Sequence, residues 1–176
     1  DVKEVYTNHD YEPYARERDD NMAEFLTSEK IAFKTYKDQV IFEKNEILKA
    51  DQTPYTVFTP FYKQWHTKLN DFYVKPYPTE KYLKNLIEIK HLPSPTLKEM
   101  DFEKSKLDFP KISYKNKLDD YAKERDFPAL DGTTHIGLHL RFGTLSIRKA
   151  VKDALEAKST VWLSELAWRE FYMTIL

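Results

Sequence analysis

The stretch ELAWREFY near the end of the chain holds side chains that could do chemistry together. Trp162, Glu165, Arg169 and Tyr172 are spaced by three, four and three residues, so a helix would place them on one face. One interpretation is an exposed Glu165–Arg169 ion pair, which would stabilise the helix by only about 0.3–0.5 kcal/mol. The alternative is a cavity wall, where the rings stack on a ligand and the charges hydrogen-bond to it. Spacing alone leaves both interpretations open.

The stretch GTTH, residues 132–135, offers hydroxyl groups and free backbone N–H groups at the start of a predicted helix. Such a helix end can bind an anion, because its unpaired amides and its dipole both favour negative charge. A plain N-cap is the simpler interpretation. His135 and His139 have the i, i+4 spacing of a metal pair, but no Glu lies between them and no third ligand is indicated. The sequence therefore predicts no metal site.

The elements that must position these residues begin with a short α/β pattern. Val5 and Tyr6 predict the end of a strand, and a helix is predicted from Pro13 with Asp10 as its cap. The stretches IAFKTYKD and QVIFE predict two short strands, because they are rich in β-branched and aromatic residues. One helix and two short strands cannot cover a parallel sheet on both faces. We therefore interpret this region as the tail of an α/β domain.

A long connector separates this pattern from a helical last third. Residues 74–117 carry five of the nine prolines, and a loop of that length is uncommon inside one compact domain. Before the connector's proline-rich part, Thr59 is predicted to cap a helix. The predicted helices of the last third lie in KLDDYAKERDF, in the stretch closed by Gly143, after Ser146, and after Ser159 or Thr160.

Composition excludes several classes of function. The 176 residues carry a formal charge of −1 and no cysteine, which excludes thiol catalysis and cysteine-ligated metal sites. There are 3 glycines and neither glycine-rich phosphate motif, GxGxxG or GxxxxGK(S/T), while aromatic residues reach 15%. No apolar run approaches the roughly 20 residues that span a bilayer, and the first residues lack the pattern of a signal peptide. We therefore expect no membrane association and a cytoplasmic protein.

Four stretches, taken in order, resemble a known family. They are VYTNHDYEPYARERD, PYTVFTPFYKQW, YAKERDFPALDGTTHIGLHLRFGTLSIR and VWLSELAWREFY. Together they resemble the DNA photolyase/cryptochrome family of flavoproteins, and they look most similar to bacterial photolyases that repair cyclobutane pyrimidine dimers. The resemblance runs along nearly the whole chain, and its last two stretches are the most specific.

The resemblance implies a mixed α/β and α fold in three parts. Residues 1–48 match the C-terminal part of the family's α/β antenna-type domain, and residues 49–117 match the interdomain connector. Residues 118–176 match the first helices of the all-helical FAD-binding domain. Family members begin several strands earlier and continue past the last helix. We therefore expect the chain to be a middle fragment that is inactive alone.

The resemblance implies FAD as the cofactor and assigns residues to it. The positions that match FAD-binding residues of the family are Tyr121, Thr133, Thr134, His135, Ile136, Gly137, Trp162 and Arg169. The first six correspond to the diphosphate site, and the last two line the flavin pocket. The family often has Ser, Arg and Ser at the positions of Thr134, His135 and Gly137. At His135 and Gly137 we therefore expect backbone contacts in place of side-chain contacts.

A second set of residues matches catalytic and DNA-binding positions. Glu165 matches the carboxylate that meets the bases of the dimer, Trp168 the ring that packs against them, and Arg125 a basic residue that grips a DNA phosphate. Photolyases flip their target out of the duplex, and a flat ring can replace lost stacking at about 1–3 kcal/mol per base. In the implied reaction, excited reduced FAD gives an electron to the dimer, the ring splits and the electron returns.

The resemblance does not settle the antenna or the activity. Pro13, Tyr14 and Ala15 stand where folate-antenna members carry an Asn–Glu pair, so folate is not implied and the antenna chromophore is unknown. A cryptochrome-type photoreceptor without repair is one alternative function. A non-catalytic structural or interaction module is another.

The last helix also suggests self-association. If its flavin-facing side were exposed in a fragment, the apolar surface would favour contacts between chains. We therefore expect a dimer or higher oligomer that buries Trp162, Trp168 and Phe171.

Overall fold

The structure is a computed structural model that describes residues 2–88 and 94–175. It contains two compact units, a larger one of Asp1–Lys75 with Ile112–Leu176 and a smaller one of Pro76–Lys111. The larger unit holds two strands, β1 (Glu4–Asn8) and β2 (Ala32–Tyr36). Its α-helices are α1 (Pro13–Ser28), α2 (Phe58–Lys68), α3 (Tyr121–Glu124), α4 (Gly137–Arg141), α5 (Ile147–Glu156) and α6 (Thr160–Ile175).

The first elements form a β–α–β unit, as the sequence predicts. Strands β1 and β2 pair in parallel, with Val5 opposite Phe33, and α1 connects them. Pro13 occupies the first turn of α1, where its missing N–H costs no hydrogen bond. The predicted cap is wrong: Glu12 is the N-cap residue, and the Asp10 carboxylate accepts the Tyr11 amide at 2.7 Å instead.

The predicted strand QVIFE is also wrong. Val40, Ile41 and Phe42 are each only 1% exposed, but they pair with no strand within the described residues. The amides of Ile41 and Phe42 donate to the carboxylate of Glu170 instead. A buried apolar run needs partners for its amides, and here a side chain supplies them. An apolar run in the sequence indicates a buried segment, but it does not show whether that segment is a strand.

The core lies among α2, α5 and α6. Its largest fully buried side chains include Trp65, Trp162, Phe61 and Phe42. The apolar stripe of α5 is confirmed from Ile147 to Ala154, and its last member, Leu155, is half exposed. The core therefore joins residues from both ends of the larger unit, because Phe42, Phe61 and Trp65 pack in one cluster with the residues of α5 and α6.

Some helix boundaries in the structure differ from those predicted. Helix α2 begins at Phe58 with Val57 as its N-cap, so the prediction of Thr59 as the cap is wrong. In KLDDYAKERDF the α-helix is only the four residues of α3, preceded by a 3-10 turn at Lys115–Lys117. Gly143 does close the stretch after α4, because its φ of +67° is a conformation that favours glycine.

The expected exposure of the last helix is wrong. Trp162 is 2% exposed and Phe171 is 4% exposed, because both rings pack inside the chain. Trp168 is half buried and stacks on Phe58, with ring centroids 3.7 Å apart. Two of these three rings are therefore fully inside the core and the third is half buried, and the structure does not support self-association through them.

The smaller unit has little regular structure in the described residues. It contains a 3-10 helix, Thr79–Asn85, and a turn in which the Glu99 carboxylate accepts the Thr96 amide at 2.7 Å. Another 3-10 turn, Lys44–Glu46, lies in the larger unit. Mixed helix with a small parallel sheet is the fold observed. The predicted divisions 1–48, 49–117 and 118–176 stay predictions.

Candidate functional site

Glu165 on α6 makes its ion pair across the fold. Its carboxylate accepts a hydrogen bond from Arg125 Nη1, which lies just after α3. This bond raises the pKa of Arg125. The Arg125 guanidinium also lies over the ring of Tyr121, 5.7 Å from its centroid. Three predicted site residues, Tyr121, Arg125 and Glu165, are therefore in one partly exposed cluster.

Arg169 has different partners from those that the sequence suggested. Its guanidinium donates to the backbone carbonyls of Gln39 at 2.7 Å and Leu140 at 3.3 Å. Burial lowers the pKa of Arg169. The interpretation of an exposed Glu165–Arg169 pair is therefore wrong, because Glu165 pairs with Arg125 and Arg169 bonds to backbone carbonyls.

Trp162 lies behind this face of α6. Its ring packs at 5.2 Å and 31° against Tyr114, whose hydroxyl donates to Asp153 at 2.6 Å. With 2% exposure, Trp162 is part of the core rather than of an open wall. In this structure Trp162 and Arg169 support the helix that carries Glu165.

Trp168 belongs to a column of stacked rings. It lies 3.7 Å from Phe58 at an interplanar angle of 10°, and 5.5 Å from Tyr172 at 25°. Phe58 in turn stacks on Tyr62 at 5.5 Å. Helices α2 and α6 thus fix the orientation of the Trp168 ring. A ring that packs against a flat ligand needs such a fixed orientation.

The GTTH turn lies between α3 and α4 and is held by charged neighbours. Lys117 Nζ donates to the Thr133 carbonyl at 2.8 Å and pairs with Asp131 at 2.7 Å. The ring of His135 also bonds to Asp131, at 2.7 Å. Hydrogen bonds from Lys117 and then His135 lower the pKa of Asp131. The turn therefore carries a local cluster of one carboxylate, one ammonium group and one imidazole.

The backbone of this turn is unusual at His135, whose φ is +54°. A residue with a Cβ adopts that conformation only at some cost, and histidine tolerates it better than β-branched residues do. Thr134 is buried, Thr133 is exposed, and the following Ile136 is buried. Around Gly137 there is open space, since an added Cβ would meet no atom within 4 Å. The turn thus offers one hydroxyl and an open glycine at its surface.

Glu170 is the polar residue that sequence reasoning missed. It is 1% exposed, and its carboxylate accepts hydrogen bonds from two backbone amides and from the Trp65 indole. Burial raises its pKa to about 7. One sequence signal could have found it: Glu170 continues the spacing of Leu163, Leu166 and Ala167, which is the buried stripe of α6.

A cleft lies elsewhere in the larger unit. Its volume is about 680 Å³, and it is bordered by the ends of β1 and α6 and by one side of α1. Polar groups that line it include His9, Arg16, Asp19 and Asn45. None of the predicted FAD or DNA residues is among its lining residues.

The described ranges, 2–88 and 94–175, contain no group of three or more His, Cys, Asp or Glu side chains placed to hold a metal ion. No helix within them is both long and apolar enough to cross a membrane.

Comparison with known proteins agrees with the sequence resemblance. The family profile described as DNA photolyase matches residues 1–81. A deoxyribodipyrimidine photo-lyase of Synechococcus sp. is 32% identical over 98% of this chain and 41% of its own length. The enzyme of the same name from Alkalihalophilus pseudofirmus is 28% identical over 99% of this chain and 40% of its own length. The chain is therefore similar to DNA photolyases along nearly its whole length.

A solved structure shows the same fold. A bacterial class III photolyase from Agrobacterium tumefaciens superposes with a TM-score of 0.74 at 23% identity. The match covers 99% of this chain and 40% of that one. The chain thus spans about two fifths of the length of the relatives it matches.

Proposed function

We propose that this chain forms part of the flavin and DNA sites of a deoxyribodipyrimidine photo-lyase that repairs cyclobutane pyrimidine dimers in light. Similarity to DNA photolyases supports the class of reaction. The observation that carries the proposal is the cluster of Tyr121, Arg125 and Glu165, in which a cation and a carboxylate meet beside an aromatic ring. These are the side-chain types that the recognition of a phosphate and a pyrimidine edge requires.

The proposed cofactor is FAD, and part of the chain's surface fits it. The GTTH turn offers the Thr133 hydroxyl, the amide of Gly137 and open space beside it. Lys117 forms an ion pair with Asp131, which reduces the repulsion that a diphosphate would otherwise meet there. Reduced FAD, once bound and excited by light, supplies the electron that splits the dimer. The antenna chromophore remains outside the proposal.

The remaining FAD assignments fall into two groups. Tyr121, Thr134 and Ile136 are buried next to the exposed part of the turn and would shape the site. Trp162 and Arg169 are engaged in the core and with backbone carbonyls, so they would act by holding α6 in place. The assignments rest on the family resemblance, and their division into two groups rests on the burial of each side chain.

The DNA-facing roles belong to the cluster on α3 and α6. Arg125 would bind a phosphate beside the lesion, which requires it to exchange Glu165 for the phosphate. Glu165 would then be available to hydrogen-bond to the pyrimidine edge and to hold or return a proton there. Trp168, fixed by its stack on Phe58, would pack against the flipped bases.

Retention of FAD tests the cofactor part. The purified chain is mixed with FAD and desalted, and its visible absorption spectrum is recorded. A retained flavin band that weakens in Thr134→Val, but not in Thr59→Val on the exposed side of α2, supports the site. A spectrum without flavin would contradict the idea that these residues are sufficient to hold FAD.

Light-dependent repair tests the activity. The flavin-loaded and chemically reduced protein is illuminated with an oligonucleotide that contains one thymine dimer, and restored thymines are counted. We expect repair to fall in Glu165→Gln and to be unchanged in Glu156→Gln, which alters an exposed residue of α5. A chain that binds flavin and repairs no dimer would favour a photoreceptor or a non-catalytic fragment instead.

A further inference from the structure

The carboxyl group of Glu170 is a meeting point for three separate parts of the chain. Its Oε2 accepts the amide of Ile41 at 2.7 Å. Its Oε1 accepts the amide of Phe42 at 2.8 Å and the indole N–H of Trp65 at 2.7 Å. The side chain is 1% exposed, so water could not accept these hydrogen bonds if the carboxylate were removed. Helix α6 is thereby bonded to α2 and to the segment that follows β2.

The same segment is held by two neighbouring cations. Arg169 donates to the carbonyl of Gln39 at 2.7 Å, and Arg148 on α5 donates to the carbonyl of Asp38 at 3.1 Å. Cations thus bind carbonyls and an anion binds amides along residues 38–42. This arrangement matches the charge of each side chain to the dipole of the backbone group it meets.

Other charged groups face Glu170 as well. Lys37 lies near it in the segment after β2, but its ammonium group is paired with Glu46 at 2.6 Å. Arg169 interacts with it from α6 itself, and the phenol of Tyr11 interacts with it from the segment before α1. Helix α2 contributes the neutral indole described above.

The hydrogen bonds and the burial act on Glu170 in opposite directions. Burial disfavours the charged carboxylate, whereas the two amides, the indole and Lys37 favour it. Burial is the stronger influence, and the pKa of Glu170 rises to about 7. Both protonation states are therefore populated near neutral pH.

We propose that Glu170 is a proton-controlled clasp, which holds helix α6 to residues 41–42 and to α2 more firmly when protonated and less firmly when ionised. The carboxylate has acceptor sites for all three donors, but these bonds do not offset the cost of burying its charge, and protonation removes that charge. Helix α6 also carries Glu165 and Trp168, so the clasp controls how firmly their helix is held. The inference goes beyond the proposed function and does not depend on it.

Nuclear magnetic resonance of the wild-type chain tests the clasp directly. Amide and indole resonances are followed from about pH 5 to about pH 9, which brackets the range of a raised carboxyl pKa. The Ile41 and Phe42 amide protons and the Trp65 indole proton should move upfield on acidification, with one shared midpoint near pH 7. The Thr53 amide is the internal control. It donates to the Asp51 carboxylate at 3.0 Å, and hydrogen bonds from Thr53 lower the pKa of Asp51, so its resonance should stay constant.

Two variants decide the assignment. Glu170→Gln should abolish the shared inflection, because an amide does not titrate. Trp65→Phe removes one donor from the charged form, so the midpoint for the two amides should rise. The proposal is overturned if the wild-type resonances show no common inflection, if the inflection survives in Glu170→Gln, or if the midpoint in Trp65→Phe stays the same or falls. The wild-type titration and Trp65→Phe decide the matter even if Glu170→Gln does not fold.

Discussion

Arg125 has a structural role in the fold and, in the proposed function, would also bind DNA. In this structure it pairs with Glu165 and lies over Tyr121, partly exposed to solvent. A phosphate offers the guanidinium a stronger, bidentate partner than a single carboxylate oxygen does. In the proposed function, the ion pair would keep Arg125 in place until DNA binds, and the exchange would release Glu165 toward the bases.

Replacing Arg125 by Ala should weaken binding of dimer-containing DNA and reduce its dependence on salt. Loss of one phosphate contact makes the slope of log Kobs against log salt concentration less negative by about 0.9. Fluorescence anisotropy of a labelled duplex, measured over a series of salt concentrations, gives that slope. Arg18→Ala is the matched control, because Arg18 on α1 is exposed and pairs only locally with Asp19. An unchanged slope in Arg125→Ala would remove this residue from the proposed interface.

Glu170 predicts a pH dependence of stability with a defined sign. Its pKa is about 7 in the folded chain and 4.5 in a solvated one, so the folded state binds more protons between these values. The contribution of Glu170 to the free energy of unfolding is therefore fully present below about pH 4.5, and it is lost as pH rises through about 7. The bonds to the ionised carboxylate are strong, but they do not offset the cost of burying its charge.

The size of this effect follows from the shift. At 1.36 kcal/mol per unit, the free energy of unfolding of wild type should fall by up to about 3 kcal/mol relative to Glu170→Gln across this window. Urea unfolding of both proteins at several pH values gives the difference in their free energies of unfolding. Plotting this difference against pH separates the titration of Glu170 from that of other groups. A difference that rises with pH, or stays constant, would show that Glu170 does not titrate there.

Residue identities could be predicted from the sequence better than residue partners. The family resemblance selected Glu165 and Arg125, and the structure brings the two together. The i, i+4 spacing suggested Arg169 as the partner of Glu165, because spacing describes only one helix. The partner is Arg125, which follows α3 and lies 40 positions earlier, and no local pattern contains that information.

At the scale of elements, the loop between α3 and α4 depends on Gly132. A Cβ at this position would lie 2.5 Å from the Glu124 Cβ and 2.8 Å from the Glu124 carbonyl carbon. Backbone atoms of α3 cannot move aside without displacing the helix, so Gly132→Ala should cost about 1–3 kcal/mol. Thermal unfolding followed by circular dichroism measures the loss.

Gly137 provides a matched comparison for Gly132. It begins α4, and no atom lies within 4 Å of an added Cβ. Gly137→Ala should therefore be neutral or stabilise by about 0.4–1 kcal/mol, because alanine reduces the entropy of the unfolded chain. Equal losses in both variants would contradict the close approach of α3 at Gly132.

The same scale shows why some elements were predicted well. The β–α–β unit and α5 follow from periodicity and from Pro13, which act within one element. The segment QVIFE was misassigned, because its apolar run is buried by α6 and its amides bond to Glu170. A side chain more than a hundred residues away decided that structure, so local sequence could not.

At the scale of the whole molecule, the larger unit is one folding unit made from two distant stretches. Its core cluster includes Phe42, Phe61 and Trp65 from the first stretch, and Trp162 and Phe171 from the second. Burial of apolar surface between the stretches, with the bonds to Glu170, is what keeps them together. The smaller unit, Pro76–Lys111, lies between them in sequence and is a separate compact unit.

Cleavage within Pro76–Lys111 should therefore leave the larger unit assembled. Exposed lysines of this unit, which include Lys81, Lys98 and Lys104, are accessible to a lysine-specific protease. After limited digestion, the two fragments should elute together from a sizing column in native buffer and separate only in denaturant. The fluorescence of the buried tryptophans should also be unchanged by cleavage, because Trp65 and Trp162 lie in the shared core. Fragments that separate in native buffer would mean that the two stretches do not form a common core, and the contacts of Glu170 with residues 41, 42 and 65 would then need another explanation.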